Sequence, residues 1–133
     1  MFMKIKKPVL LSTLWLFLVV NFIFCDVFTL HYAEDLKAII AGEVDGTVIT
    51  QGFLLAFAVV MELAMVMILL SRILPYKLNR WLNIALSILL AVVQVWSLSV
   101  GESTLHYYFF SVVEVAACVA IAVVAVKWKK ECN

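Results

Sequence analysis

Four long apolar runs separated by short polar stretches organise this chain. They cover residues 8–30, 49–71, 79–100 and 104–126, and each reaches the roughly 20 residues that a helix needs to cross a hydrocarbon core. The longest interruption, residues 31–48, is polar and acidic. Within it Leu36, Ile39 and Ile40 recur at helical spacing beside Glu34, Asp35 and Lys37, which predicts a short helix lying on a membrane surface. Gly42 can end that helix, Asp45-Gly46 supplies a turn, and hydroxyls between Thr47 and Thr50 can cap the next span. Pro8 suits a first helical turn, where its missing N–H is no loss, and the second span stops before Pro75. Gly101 to Ser103 makes a tight turn before the last span. The pattern therefore predicts one all-α domain over residues 1–133. Its architecture is a polytopic, left-handed, antiparallel four-helix transmembrane bundle with a short interfacial helix in the first outer loop.

Composition excludes the soluble alternative. Hydrophobic residues make up 66% of the chain, charged residues 14%, and the mean hydropathy is +1.12, whereas a soluble domain is nearer 45–50% apolar. The net charge of +1 hides a strong asymmetry. Nine of the ten lysines and arginines fall in the N-tail (Lys4, Lys6, Lys7), the second loop (Arg72, Lys77, Arg80) and the C-tail (Lys127, Lys129, Lys130), leaving only Lys37 elsewhere. Such a bias predicts cytoplasmic N- and C-termini. Tyr32, Tyr107 and Tyr108 would then mark the outer interface, and Tyr76, Trp81 and Trp128 the inner one. The first apolar run is too long for a secretory signal core and reads as an uncleaved anchor. No basic patch with interleaved aromatics points to nucleic acid. Cys25, Cys118 and Cys132 form no Cys-x-x-Cys pair and read as free thiols.

Polar residues inside the spans are the candidate chemistry. Asn21, Glu62, Gln94 and Glu114 each lie about 15–21 Å from the basic end of their helices at 1.5 Å per residue. Residues seven or eleven apart share a helix face, which groups Asn83, Ser87, Gln94 and Gly101 in the third span. The same rule groups Ser103, Tyr107, Ser111, Glu114 and Cys118 in the fourth, and Gln51, Ala58, Glu62 and Met65 in the second. These stripes are expected to face inward. Amides and hydroxyls such as Asn21, Gln94, Ser87 and Ser111 serve as ordinary interhelical glue. An ionisable group has to be kept neutral or solvated, so Glu62 and Glu114 are the stronger functional candidates, with no lysine or arginine at their depth. Asp26 lies nearer the outer surface and suits a vestibule. His31 and His106 lack companions at ligand spacing, and no metal or other cofactor is expected.

Aligning Asn21 with Gln94 and Glu62 with Glu114 suggests two parallel copies of an amide-bearing helix followed by a carboxylate-bearing one. The segments Leu11-Ser12-Thr13-Leu14-Trp15, Ile49-Thr50-Gln51-Gly52-Phe53-Leu54-Leu55, Met61-Glu62, Leu70-Ser71-Arg72, Asn79-Arg80-Trp81-Leu82-Asn83 and Phe109-Phe110-Ser111-Val112-Val113-Glu114 add a likeness. Over nearly the whole chain they resemble an uncharacterised family of small bacterial four-span proteins, a domain of unknown function. That resemblance implies a bacterial inner-membrane protein and carries no activity with it. Similarity to DoxX-like proteins extends to size and span count alone. Small multidrug carriers also have four spans, but their membrane glutamate is in the first helix, where this chain has Asn21 and Asp26.

Two functions compete on these residues. One is a proton-linked carrier or binder of a small lipophilic or cationic ligand, with Glu62 and Glu114 exchanging protons and the ligand entering past Gln51, Tyr107 and Ser111. The other is a non-catalytic membrane partner or assembly protein whose polar residues only specify packing. An enzymatic reading has no cofactor motif behind it. Small faces at Gly52 and Ala56, or Ala116 and Ala120, permit a homodimer.

Overall fold

A computed structural model describes residues 4–100 and 102–130. Gly101 and Cys132, both named above, lie outside the described residues. Helix α1 spans Lys7–His31, with Pro8 in its first turn. After Tyr32, whose extended backbone breaks the helix, α2 runs over Ala33–Ile40. Gly42 follows with φ +85 and donates its N–H to the Ile39 carbonyl at 3.0 Å, ending α2 in the left-handed conformation that glycine adopts most readily.

A small hairpin comes next, which the apolar pattern did not predict beyond its turn. Strands β1 (Glu43–Val44) and β2 (Thr47–Val48) pair antiparallel across Asp45 and Gly46. Positive φ values of 48 and 75 at these two residues give the twist that a two-residue hairpin requires. Helix α3 spans Gln51–Ile73 and is capped by the Thr50 hydroxyl, which accepts from the Phe53 N–H at 3.1 Å.

Helix α4 covers Tyr76–Leu98 and α5 covers Leu105–Val126. The start of α4 lies three residues before the expected one, because Pro75 both closes α3 and, at φ −64, pre-sets the entry to the next helix. Among the described residues four helices, α1, α3, α4 and α5, are long and apolar enough to cross a membrane.

Side-chain bonds fix how these helices run. Ser12 near the start of α1 donates to the Ile68 carbonyl near the end of α3, at 2.7 Å. Thr29 near the end of α1 meets His106 at the start of α5, at 3.3 Å. Arg80 at the start of α4 donates from Nε to the Ala125 carbonyl and from a terminal nitrogen to that of Val126 at the end of α5, at 3.1 and 2.9 Å. Neighbouring helices are therefore antiparallel, and α1 packs between α3 and α5 while α4 packs on α5. All three basic clusters gather at one end of the bundle.

The core follows a heptad-like stripe on α1, with Leu11, Trp15, Leu18 and Phe22 buried against Ala64 and Met67 of α3. On the other side, Ala117 and Ala125 keep α5 slim on either side of Ile121, where it joins the same core. The buried face of α4 is mostly polar: Asn79, Asn83, Ser87 and Gln94, with Leu90 between them. Near the basic end these groups form a closed set of bonds. The Trp15 indole donates to Asn83 Oδ1 at 2.7 Å, and the Ser71 hydroxyl donates to the same oxygen at 3.3 Å. Asn83 Nδ2 in turn donates to the carbonyl and Oδ1 of Asn79 at 2.8 and 2.7 Å, and Asn79 Nδ2 donates to the Ser71 carbonyl at 2.7 Å. Three helices are thereby tied through one fully buried asparagine.

Replacing Asn83 by Leu should orphan the Trp15 and Ser71 donors and the Asn79 oxygen. At about 1–3 kcal/mol for a buried unpaired group, Asn83→Leu should lower the thermal unfolding midpoint in detergent far more than Thr13→Val. The Thr13 hydroxyl bonds only its own helix at the exposed surface. Equal effects of the two substitutions would remove the structural role assigned to the network.

Candidate functional site

Towards the opposite end from the basic cluster the polar groups are arranged differently. Glu114 on α5 is 1% exposed, and neither of its carboxyl oxygens has a hydrogen-bond partner within the described residues. One turn earlier on the same face Ser111 accepts from Gln94 Nε2 at 2.7 Å, and both of these residues are buried. One turn later lies Cys118, buried on α5, while Cys25 is buried on α1. Cys25, Asp26, Tyr107 and Cys118 all lie within electrostatic range of the Glu114 carboxyl group. Tyr107 is half-buried and shares a 2.8 Å bond with Ser97 of α4. Beyond it, Thr104, His106 and Thr29 link the start of α5 to the end of α1.

The helices dictate this grouping. Ser111, Glu114 and Cys118 follow spacings of three and four residues, so they fall on one stripe, and that stripe faces α1 and α4. Gln94 and Ser97 sit on the inner side of α4 opposite Ser111 and Tyr107. A buried neutral carboxyl without a partner costs about 1–3 kcal/mol, and an ionised one far more. A proton, a hydrogen-bond donor or a cation would each satisfy such a carboxyl group.

Other expected members lie elsewhere. Glu62 is exposed, as are Gln51, Ala58 and Met65 of the same stripe. The buried face of α3 is Ala64, Met67 and Ser71, and Glu62 lies about 200° round the helix from Ala64 at 100° per residue. This corrects the expectation that the stripe of α3 faces inward. Hydrophobic periodicity could not decide it, because every side of α3 is apolar and only the packing on α1 selects the covered side. The proposed pairing of two parallel halves is likewise not matched in burial, since Glu62 is exposed where Glu114 is enclosed. Asn21 is half-buried and donates to the carbonyl of Phe17 in its own helix at 2.9 Å, so it joins no neighbour. Asp26 is exposed on α1.

Sequence reasoning placed Cys118 on the stripe of Glu114, but it did not anticipate that Cys25 of α1 comes within electrostatic range of that carboxyl group, or the bond from Trp15 to Asn83. The second had a signal: an indole N–H placed inside an apolar run needs an acceptor. Among the described residues no group of three His, Cys, Asp or Glu side chains could hold a metal ion.

Such a fold, all-α with four helices able to span a bilayer and an enclosed carboxyl group between them, is that of a multi-pass membrane protein. The chain belongs to a family of unknown function, DUF6326, whose family model matches residues 2–133. No curated protein and no solved structure matches it.

Because Glu114 is enclosed yet unpaired among the described residues, removing its carboxyl should relieve the protein. Glu114→Leu is expected to raise the thermal unfolding midpoint, in contrast to Asn83→Leu. A drop as large as that caused by Asn83→Leu would mean that Glu114 has a structural partner.

Proposed function

We propose that this protein is a proton-linked binder or carrier of a small lipophilic or cationic ligand, with Glu114 as the exchanging group. What carries the reading is the fully enclosed carboxyl of Glu114, with no partner for either oxygen among the described residues. Polar groups that only hold helices together find partners, as Asn79 and Asn83 do. One that is left without them has been kept at a cost, and intramembrane carboxyls kept in this way are characteristic of proton and ion pathways. Gln94, Ser111 and Tyr107 are the polar groups a guest would meet around it, and Asp26 would border the entrance. Glu62 has no part in that site, because it lies on the opposite side of α3 from the core.

Tetraphenylphosphonium, a lipophilic cation, is a suitable probe. A cation that replaces the Glu114 proton binds more tightly as pH rises, since fewer protons compete. The thermal unfolding midpoint of the purified protein should therefore rise with tetraphenylphosphonium, and more at pH 8 than at pH 6. Glu114→Gln should abolish the response and Glu62→Gln should keep it. Retention of the full response by Glu114→Gln would sink the proposal.

A membrane partner or assembly role has its own support in α3. From Gln51 to Val59 this helix has only Phe53 even half-buried, and mid-span Glu62 faces away from the bundle. A carboxyl group there is costly against lipid, at ~3 kcal/mol or more if ionised. In a two-fold dimer with its axis along the membrane normal, Glu62 meets the same residue of the second copy at the same depth, and two carboxyls can share a proton there.

The membrane is read as a bacterial inner membrane with both termini cytoplasmic. The gathering of nine of ten basic residues at one end supports that orientation. Leu36 and Ile40, exposed on α2, support its lying in the outer interface. Cysteines introduced into a variant lacking the three native ones test both points. Thiols at positions 43 and 102 should react with an impermeant maleimide from outside and a thiol at position 77 should not, while Glu62→Cys should form a cross-linked dimer. Labelling at position 77 would reverse the orientation, and a monomer at every reagent length would remove the dimer.

A further inference from the structure

The basic end of the bundle holds a recess used neither by the asparagine network nor by the Glu114 site. Lys6, Lys7 and Pro8 at the start of α1, Tyr76 at the start of α4, and Trp128 and Lys130 just beyond α5 line a cavity of about 320 Å³. One wall is firmly held. The Tyr76 hydroxyl donates to the Trp128 carbonyl at 2.7 Å, and the two rings stand edge to face with centroids 5.1 Å apart and planes at 88°. The phenol proton is thus engaged, and the charged residues lining the recess are the three lysines.

The arginines of this end are occupied differently. Arg80 closes the last carbonyls of α5, and Arg72 Nε donates to the Ser12 hydroxyl at 3.3 Å. No carboxylate lines the recess among the described residues. Helix α1 opens beside it with no side-chain cap and no acid in its first turn, so the positive end of that helix reinforces the same field. Three like charges around one cavity repel, and an anion that enters relieves the repulsion.

We propose that this recess binds a phosphate-bearing anion, held by Lys6, Lys7 and Lys130 with the Tyr76–Trp128 pair against its organic portion. Several ammonium groups approaching from two chain segments suit an anion that offers several oxygens, and lysine binds phosphate as a point charge. The site lies at the ends of the spanning helices beside a tyrosine and a tryptophan. In the membrane reading given above, that is the level of the lipid headgroups. A phospholipid headgroup and a free phosphate share the required chemistry.

The test uses the full chain in a neutral detergent at fixed ionic strength. Its thermal unfolding is followed against dihexanoyl phosphatidylglycerol, dihexanoyl phosphatidylcholine and inorganic phosphate. Phosphatidylglycerol should raise the midpoint at concentrations at least tenfold below those at which phosphatidylcholine acts. Protection by inorganic phosphate at equal concentration would identify a free phosphate as the source, and its failure beside a phosphatidylglycerol response would identify the headgroup. The double variant Lys6→Gln/Lys130→Gln should weaken the response at least tenfold, and Lys130→Gln alone, which leaves α1 untouched, should weaken it in the same direction. Lys77→Gln/Lys129→Gln, which removes two charges that do not line the recess, should respond as the wild type does. No protection by any of the three compounds would overturn the proposal, as would an equal loss in the Lys77 and Lys129 variant. Neither result depends on Glu114, so this site and the proton-linked site stand or fall separately.

Discussion

A polar side chain inside hydrocarbon has to find its partner within the protein, and the cluster of Trp15, Ser71, Asn79 and Asn83 is where this chain meets that demand. Much of the architecture depends on it. Asn79 Nδ2 reaches the carbonyls of Ser71 and Leu74, closing the last turn of α3 across the short link to α4. Asn83 then carries the tie to α1 through the Trp15 indole. At the same end Arg80 satisfies the terminal carbonyls of α5, and Arg72 with Ser12 fastens α1 to α3. Four helix ends are thus held by side chains that would otherwise be costly in a membrane.

The other half of the bundle is built from similar residue types with a different outcome. Gln94 and Ser111 pair, as do Ser97 and Tyr107, yet Glu114 one turn further along α5 is enclosed without a partner among the described residues. The contrast separates two uses of polar groups within one small protein. Where every donor and acceptor is matched, the group specifies packing. Glu114 is enclosed and unmatched among the described residues, and the proposed proton exchange supplies a reason for it.

Helix α3 links these two halves to the surroundings. Secured to α1 and α4 near the basic end, it buries only Ala64, Met67 and Ser71, so its other faces are left for lipid or for another protein. Glu62 on that outer side and Glu114 inside are therefore two separate problems in electrostatics. Treating them as one shared site would merge a question of association with a question of ligand binding.

The residues alone determined the spans, because a helix long and apolar enough to cross a membrane is a local property of about twenty consecutive positions. They also determined the inward polar faces of α4 and α5. There Asn83, Ser87, Gln94, Ser111 and Glu114 stand out against apolar neighbours, and a helix can bury such a stripe only by turning it inward. Asp45-Gly46 was legible as a turn, while the two short strands around it depended on pairing between segments that carry little pattern of their own. The direction of Glu62 was not legible. On a helix apolar on every side, periodicity names no inner face, and only the packing of Ala64 and Met67 against α1 decided that Glu62 points outward. The lysine recess and the approach of Cys25 to Glu114 likewise join residues far apart in the chain, so only the tertiary structure could bring them together.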